Sequence, residues 1–113
     1  YWDLEFTDGD DQPRDSSSAS IAACGMLEMA KYMEEEDALY YTDIAKKLMK
    51  SVYDNYRVTD SKISNGLVLH STYSNHSPYN TCNHEGVDEC NSWGDYFYME
   101  ALTRLAKDWN PYW

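Results

Sequence analysis

Apolar residues recur at three- and four-residue spacing in three stretches of the chain, and each stretch predicts a helix. In the first, from about Ser17 to Glu34, the stripe is Ala19, Ala22, Ala23, Met26, Ala30 and Met33. Ile21, Cys24 and Met29 lie off that stripe, so the first turns are apolar nearly all round. Such a helix is expected to be buried on most sides. Asp15 or Ser16 offers the N-cap side chain, and the acidic run Glu34 to Asp37 reads as a solvated end. The second helix is expected from about Asp43 to Asn55 with Thr42 as cap. Ile44, Leu48, Met49 and Val52 form one stripe with Tyr56 just beyond it, and Lys46, Lys47 and Lys50 lie mostly on the other side, the pattern of an amphipathic outer helix. The third is expected from about Trp93 to Lys107, capped by Ser92, with Asp95 favourably placed in its first turn. Tyr98, Leu102, Leu105 and Trp109 mark one face, and Asn110 and Pro111 stop it.

The remaining residues do not follow a helical period. Residues 1 to 15 are polar and acidic, and Thr7 to Pro13 carry turn chemistry. Residues 57 to 91 form a long connection with one short apolar run, Gly66 to Leu69, expected to be extended. A connection of that length inside a compact domain is usually functional or disordered, and its Tyr, His and Asn content speaks against disorder. The order is helix, helix, long loop, helix, an all-α arrangement. The 113 residues suffice for one domain.

Composition narrows the functional classes. Aromatic residues make up 15% of the chain, as 11 Tyr and 4 Trp against 2 Phe. Tyr and Trp combine an apolar body with a polar tip, which suits the walls of wet clefts. The formal net charge of -11 repels phosphate backbones and anionic lipid surfaces, so neither nucleic acid nor membrane is expected as a partner. No apolar run is long enough to span a bilayer. Of the three cysteines, Cys24 reads as a small core residue. Cys82 and Cys90, eight apart, are placed for a possible disulfide, but free thiols in a reducing compartment are the expectation.

Three readings of the chemistry compete at this level. His70, His76, Cys82, His84, Asp88, Glu89 and Cys90 are all metal-ligand types in one loop, but their spacing matches no compact zinc signature, and neither metal nor cofactor is expected. A helical interaction module without chemistry fits everything in the composition and is the default reading of composition alone. A carbohydrate site fits the mixture of rings and polar side chains from Tyr73 to Tyr96, including Trp93-Gly94-Asp95-Tyr96 at a helix start.

Two segments favour the last reading. One is Pro13-Arg14-Asp15-Ser16-Ser17-Ser18-Ala19-Ser20-Ile21, following Tyr1-Trp2-Asp3. The other runs from Gly86-Val87-Asp88-Glu89-Cys90-Asn91-Ser92-Trp93-Gly94-Asp95-Tyr96 to Leu102, with His70-Ser71-Thr72-Tyr73 between the two. This order resembles the C-terminal region of the unsaturated glucuronyl hydrolases, glycoside hydrolase family 88, over nearly the whole chain. The stretch Trp109 to Trp113 looks like that family's C-terminus. The first segment is less specific, because the related unsaturated rhamnogalacturonyl hydrolases have something similar.

The resemblance implies that residues 1–113 are the C-terminal part of a single (α/α)6 barrel, a six-hairpin toroid. The first and third helices would then be inner and the second outer. It implies a substrate class, lyase-generated oligosaccharides carrying a 4,5-unsaturated uronate, and a bacterial cytoplasmic location. The implied chemistry adds water across the C4–C5 double bond rather than using a glycosidic nucleophile. The family's catalytic aspartates map to none of Asp3, Asp15, Asp88 or Asp95, so the chain alone is expected to be inactive and to need the remainder of the barrel as a partner. What remains is one wall of a cleft. Tyr73, His70, Trp93 and Arg14 are the expected substrate-binding residues. Asp15, Ser16 and Asp95 are expected beside the cleft in capping and anchoring roles. Some family members hold a sulfated sugar with Ser and Lys in this region. Ser74 and Ser77 are present here without a Lys between them and Asp88, which argues against a preference for sulfated substrate.

Overall fold

A computed structural model describes residues 1–2, 12–74 and 86–110. Three helices carry the fold: α1 (Ser16–Met29), α2 (Glu35–Asn55) and α3 (Ser92–Ala106). A short 3-10 turn, Ala30–Tyr32, joins α1 to α2. The described residues contain no strand, but two isolated antiparallel bridges, Arg57 with Val68 and Ser71 with Glu89, tie the long connection together. No helix among the described residues is long and apolar enough to cross a membrane.

Asp15 starts α1. It stays extended, and its Oδ1 accepts from the Ser17 amide at 3.0 Å and the Ser17 hydroxyl at 2.7 Å. That satisfies one of the orphan donors of the first turn. The helix stops at Met29, five residues before the expected end. The acidic run belongs to the next element: Glu34 is the extended N-cap of α2, and Glu35, Glu36 and Asp37 form its first turn. The dipole explains the correction, since carboxylates are stabilising at a helix N-terminus and opposed at a C-terminus. α2 therefore begins eight residues before the expected Asp43. At α3, Asn91 is the cap rather than Ser92, with its side chain accepting from the Gly94 amide at 2.7 Å.

α1 packs against both α2 and α3, which scarcely meet each other. The core is Ala23 and Cys24 from α1, Ala45, Met49 and Val52 from α2, Val68 from the connection, and Tyr98 and Ala101 from α3. The buried side of α1 also carries Ser16, Ser17 and Ser20, whereas Ile21 and Met29 are exposed. Burial thus follows small size on this helix, not hydrophobicity. Small side chains let α3 approach closely: a Cβ on Gly94 would lie 3.5 Å from Ser17 Cβ of α1, and it would also meet Asn91 Oδ1 at 2.8 Å and Ser71 Oγ at 2.9 Å. Near the far ends of α1 and α3, the buried Arg104 side chain bonds both Glu100 of its own helix and Glu28 of α1. Cys24 and Cys90 are free thiols, and Cys82 lies outside the described residues.

Candidate functional site

The segment 69–73 lies across the N-terminus of α1 and is tied to it by polar side chains. The Ser16 amide donates to the His70 carbonyl at 2.9 Å, and the Ser16 hydroxyl donates to the Leu69 carbonyl at 2.7 Å. Thr72 Oγ1 donates to the Arg14 carbonyl at 2.8 Å. The other side of the segment pairs with 86–89: Ser71 and Glu89 exchange two backbone bonds of 2.9 Å, and the Tyr73 amide donates to the Gly86 carbonyl at 2.8 Å. The Thr72 amide also donates to Asp15 Oδ1 at 3.4 Å, so Asp15 and Ser16 together fix where the loop runs.

Arg14 and His70 line one cleft of about 330 Å³, together with Gln12, Tyr56, Val87 and Asp88. His70 and Asp88 both hold left-handed backbone, with φ of 63° and 60°. For non-glycine residues this costs on the order of 1–3 kcal/mol each, and such residues cluster at functional sites. Their side chains meet, His70 Nδ1 bonding Asp88 Oδ1. The Tyr56 ring packs edge-on against the imidazole at 5.3 Å. The Arg14 guanidinium lies over the Tyr1 ring at 4.0 Å.

Tyr73 and Trp93 meet outside that cleft. Their rings pack edge to face at 5.4 Å, and they are 52% and 40% exposed. The Tyr73 hydroxyl donates to Glu89 Oε2 at 3.2 Å. Gly86, at φ 86°, has no room for a side chain, because a Cβ would fall 2.8 Å from the Tyr73 ring. Asp95 does not line the 330 Å³ cleft: its carboxylate accepts from the Leu67 and Val68 amides at 3.0–3.1 Å and from Cys90 Sγ.

The four expected sugar contacts thus divide into two pairs, Arg14 with His70 and Tyr73 with Trp93. The structure adds Gln12, Tyr56 and Asp88 to the first pair and Glu89 to the second. Their signals in the sequence were weak. Tyr56 reads as the end of a helical stripe, and Asp88 and Glu89 read as ligand types without a partner. Among the described residues no three His, Cys, Asp or Glu side chains could hold a metal ion, and His76, Cys82 and His84 lie outside them. A larger cavity of about 590 Å³ sits near the opposite helix ends, lined by Leu27, Lys31, Arg104, Leu105 and Trp109. Lys107 and Asp108 line it as well, and its Arg104 is committed to two carboxylates.

No family model matches the chain. It is 45% identical, over its whole length, to the unsaturated chondroitin disaccharide hydrolase of Streptococcus pyogenes serotype M1 and covers 27% of that protein. It is 33% identical to the unsaturated glucuronyl hydrolase of Bacillus sp. (strain GL1), again over its whole length and 29% of the relative. The crystal structure of the Streptococcus agalactiae unsaturated glucuronyl hydrolase matches all of the chain with a TM-score of 0.86 at 44% identity, over 29% of the solved chain. The three helices are part of the (α/α)6 barrel of those structures, and the chain spans a little over a quarter of the length of the relatives it matches.

Proposed function

We propose, for a chain that matches a segment of the unsaturated glucuronyl hydrolases from end to end, that the whole protein removes 4,5-unsaturated uronic acid from lyase-generated oligosaccharides. The observation that carries this reading is the 45% identity, over the whole of this chain, to an unsaturated chondroitin disaccharide hydrolase. The reaction is hydration of a vinyl ether. A proton goes to C4 and water oxygen to C5, and the resulting hemiketal opens to release the rest of the saccharide. The groups that move those protons belong to the remainder of the barrel, and residues 1–113, its C-terminal part, are inactive alone.

In this reading the chain supplies a wall. Tyr73 and Trp93 present ring faces for sugar stacking, and Glu89 orients the Tyr73 hydroxyl. Arg14 and His70 line the neighbouring cleft. The free thiols of Cys24 and Cys90 are in keeping with a bacterial cytoplasm.

The test is the loss of ultraviolet absorbance when the full-length protein meets an unsaturated chondroitin disaccharide. The expected result is loss of the band, weakened by Tyr73→Phe. A folded protein that leaves the band unchanged would overturn the reading. A rhamnogalacturonan-type unsaturated substrate would be tried next, and failure there would leave a non-catalytic helical module.

A further inference from the structure

The cleft beside the Tyr73 wall is built with more care than a passive surface requires. His70 and Asp88, far apart in sequence, both hold left-handed backbone and turn their side chains to each other. Each is locked by the junction of α1 with the loop. The Ser16 amide holds the His70 carbonyl at 2.9 Å. The Asp88 amide donates to Thr72 Oγ1 at 3.3 Å, and that hydroxyl donates onward to the Arg14 carbonyl. A carboxylate only accepts, so in the neutral imidazole the bond to Asp88 places the proton on Nδ1 and leaves a lone pair on Nε2. No described residue bonds Nε2, and the edge-on Tyr56 ring restricts the imidazole's rotation.

We propose that Asp88 is a positioning residue: it holds His70 so that Nε2 accepts a hydroxyl of a neutral sugar ring seated in the 330 Å³ cleft. This rests on the unsaturated-oligosaccharide reading above. The occupant is the sugar linked to the uronate rather than the uronate, because Arg14 and Asp88 give the cleft one guanidinium and one carboxylate, which leaves no net cation there to hold an anion. A carboxylate that orients a histidine through its other ring nitrogen is a general device for fixing tautomer and ring angle. The cleft volume lies at the small end of ligand cavities.

The experiment uses full-length protein labelled with [15N]histidine, with the His70 signals assigned by their loss in His70→Gln. At a pH where imidazole is neutral, His70 is expected to show a protonated Nδ1 and a bare Nε2. Asp88→Gly keeps the left-handed backbone accessible while removing the carboxylate, and is expected to give a tautomer mixture. It should raise KM for the unsaturated chondroitin disaccharide about tenfold with little change in kcat. Asp88→Asn keeps an accepting oxygen and should restore both the tautomer and most of the affinity. Titration with the disaccharide should shift Nε2 in the wild type. A protonated Nε2 in the wild type, or an unchanged tautomer and KM in Asp88→Gly, would overturn the proposal. If the disaccharide is turned over while Nε2 does not respond, the proposal alone falls. If it neither binds nor loses its absorbance, the substrate reading falls and takes the proposal with it.

Discussion

Asp95 illustrates how one carboxylate can organise a loop from a helix. It stands in the first turn of α3, where the dipole favours an anion, and accepts both the Leu67 and Val68 amides. Val68 is buried in the core, so those bonds position a core residue. Replacement by Ala leaves two amides without partners and is expected to cost about 1–3 kcal/mol. Hydrogen exchange should accelerate at Leu67 and Val68 while amides in the middle of α2 stay protected. Uniform acceleration would mean that the carboxylate does not act locally. Cys24 shows burial acting on a reactive group. Desolvation, helped by the neighbouring Glu100, pushes its thiol up to about 12. Since the thiolate is the nucleophile, alkylation of Cys24 at pH 8 should be slow in the folded protein and fast after denaturation. Rapid labelling in the folded state would show that this part of the core opens readily.

At the scale of elements, α1 and α3 are joined by small-residue packing at one end and by charge at the other. Arg104 is the joint, its side chain 8% exposed, with Glu100 of α3 at 2.7 Å and Glu28 of α1 on its other side. Removing one partner of a buried pair strands the other. Arg104→Ala is therefore expected to destabilise the protein by about 3–5 kcal/mol, with part recovered by adding Glu100→Gln. Thermal unfolding of the single and double variants checks this, and equal losses in both would remove the stranded-charge explanation. Hydrogen bonds from Lys31 and then Arg104 hold the Glu28 carboxyl below its ordinary range. A depressed carboxylate contributes above its unfolded value and stops contributing as pH falls through its folded one. Acid should therefore loosen the α1–α3 end, and Glu28→Gln should flatten that part of the stability-against-pH curve.

For the whole molecule, the exposed apolar side chains decide what this stretch can do alone. Leu39 and Tyr40 on α2, Met99 on α3 and Ile63 in the connection are each more than half exposed, and Ile21 adds to them from α1. Wet apolar surface forfeits roughly 25 cal/mol per Å² that burial would return. Relatives extend to more than three times this length. The isolated 113-residue stretch is expected to self-associate or to melt without a cooperative transition. Sedimentation and a thermal melt measure both, and a monomer with one sharp transition would contradict the expectation. The net charge of -11 opposes association at low ionic strength, so added salt should promote it.

Local chemistry was enough to determine that the chain is helical, roughly where α1 and α3 begin, that Cys24 is a core residue, and where α2 ends. Each of these depends on neighbours three or four positions away, which a single sequence displays directly. The family resemblance was legible in the same way, from contiguous segments around Asp15 and Trp93. The start of α2 was legible in principle, since four acids belong at the positive end of a helix, but periodicity alone put them at the end of α1. Only the tertiary structure decided that serines rather than Ile21 face inward on α1, because that depends on how closely α3 approaches across Gly94. Only it could bring His70 to Asp88 and separate Arg14 and His70 from Tyr73 and Trp93. Those neighbourhoods follow from backbone pairing between residues 71 and 89, and a bond between two distant, aperiodic segments leaves no repeating signal in either.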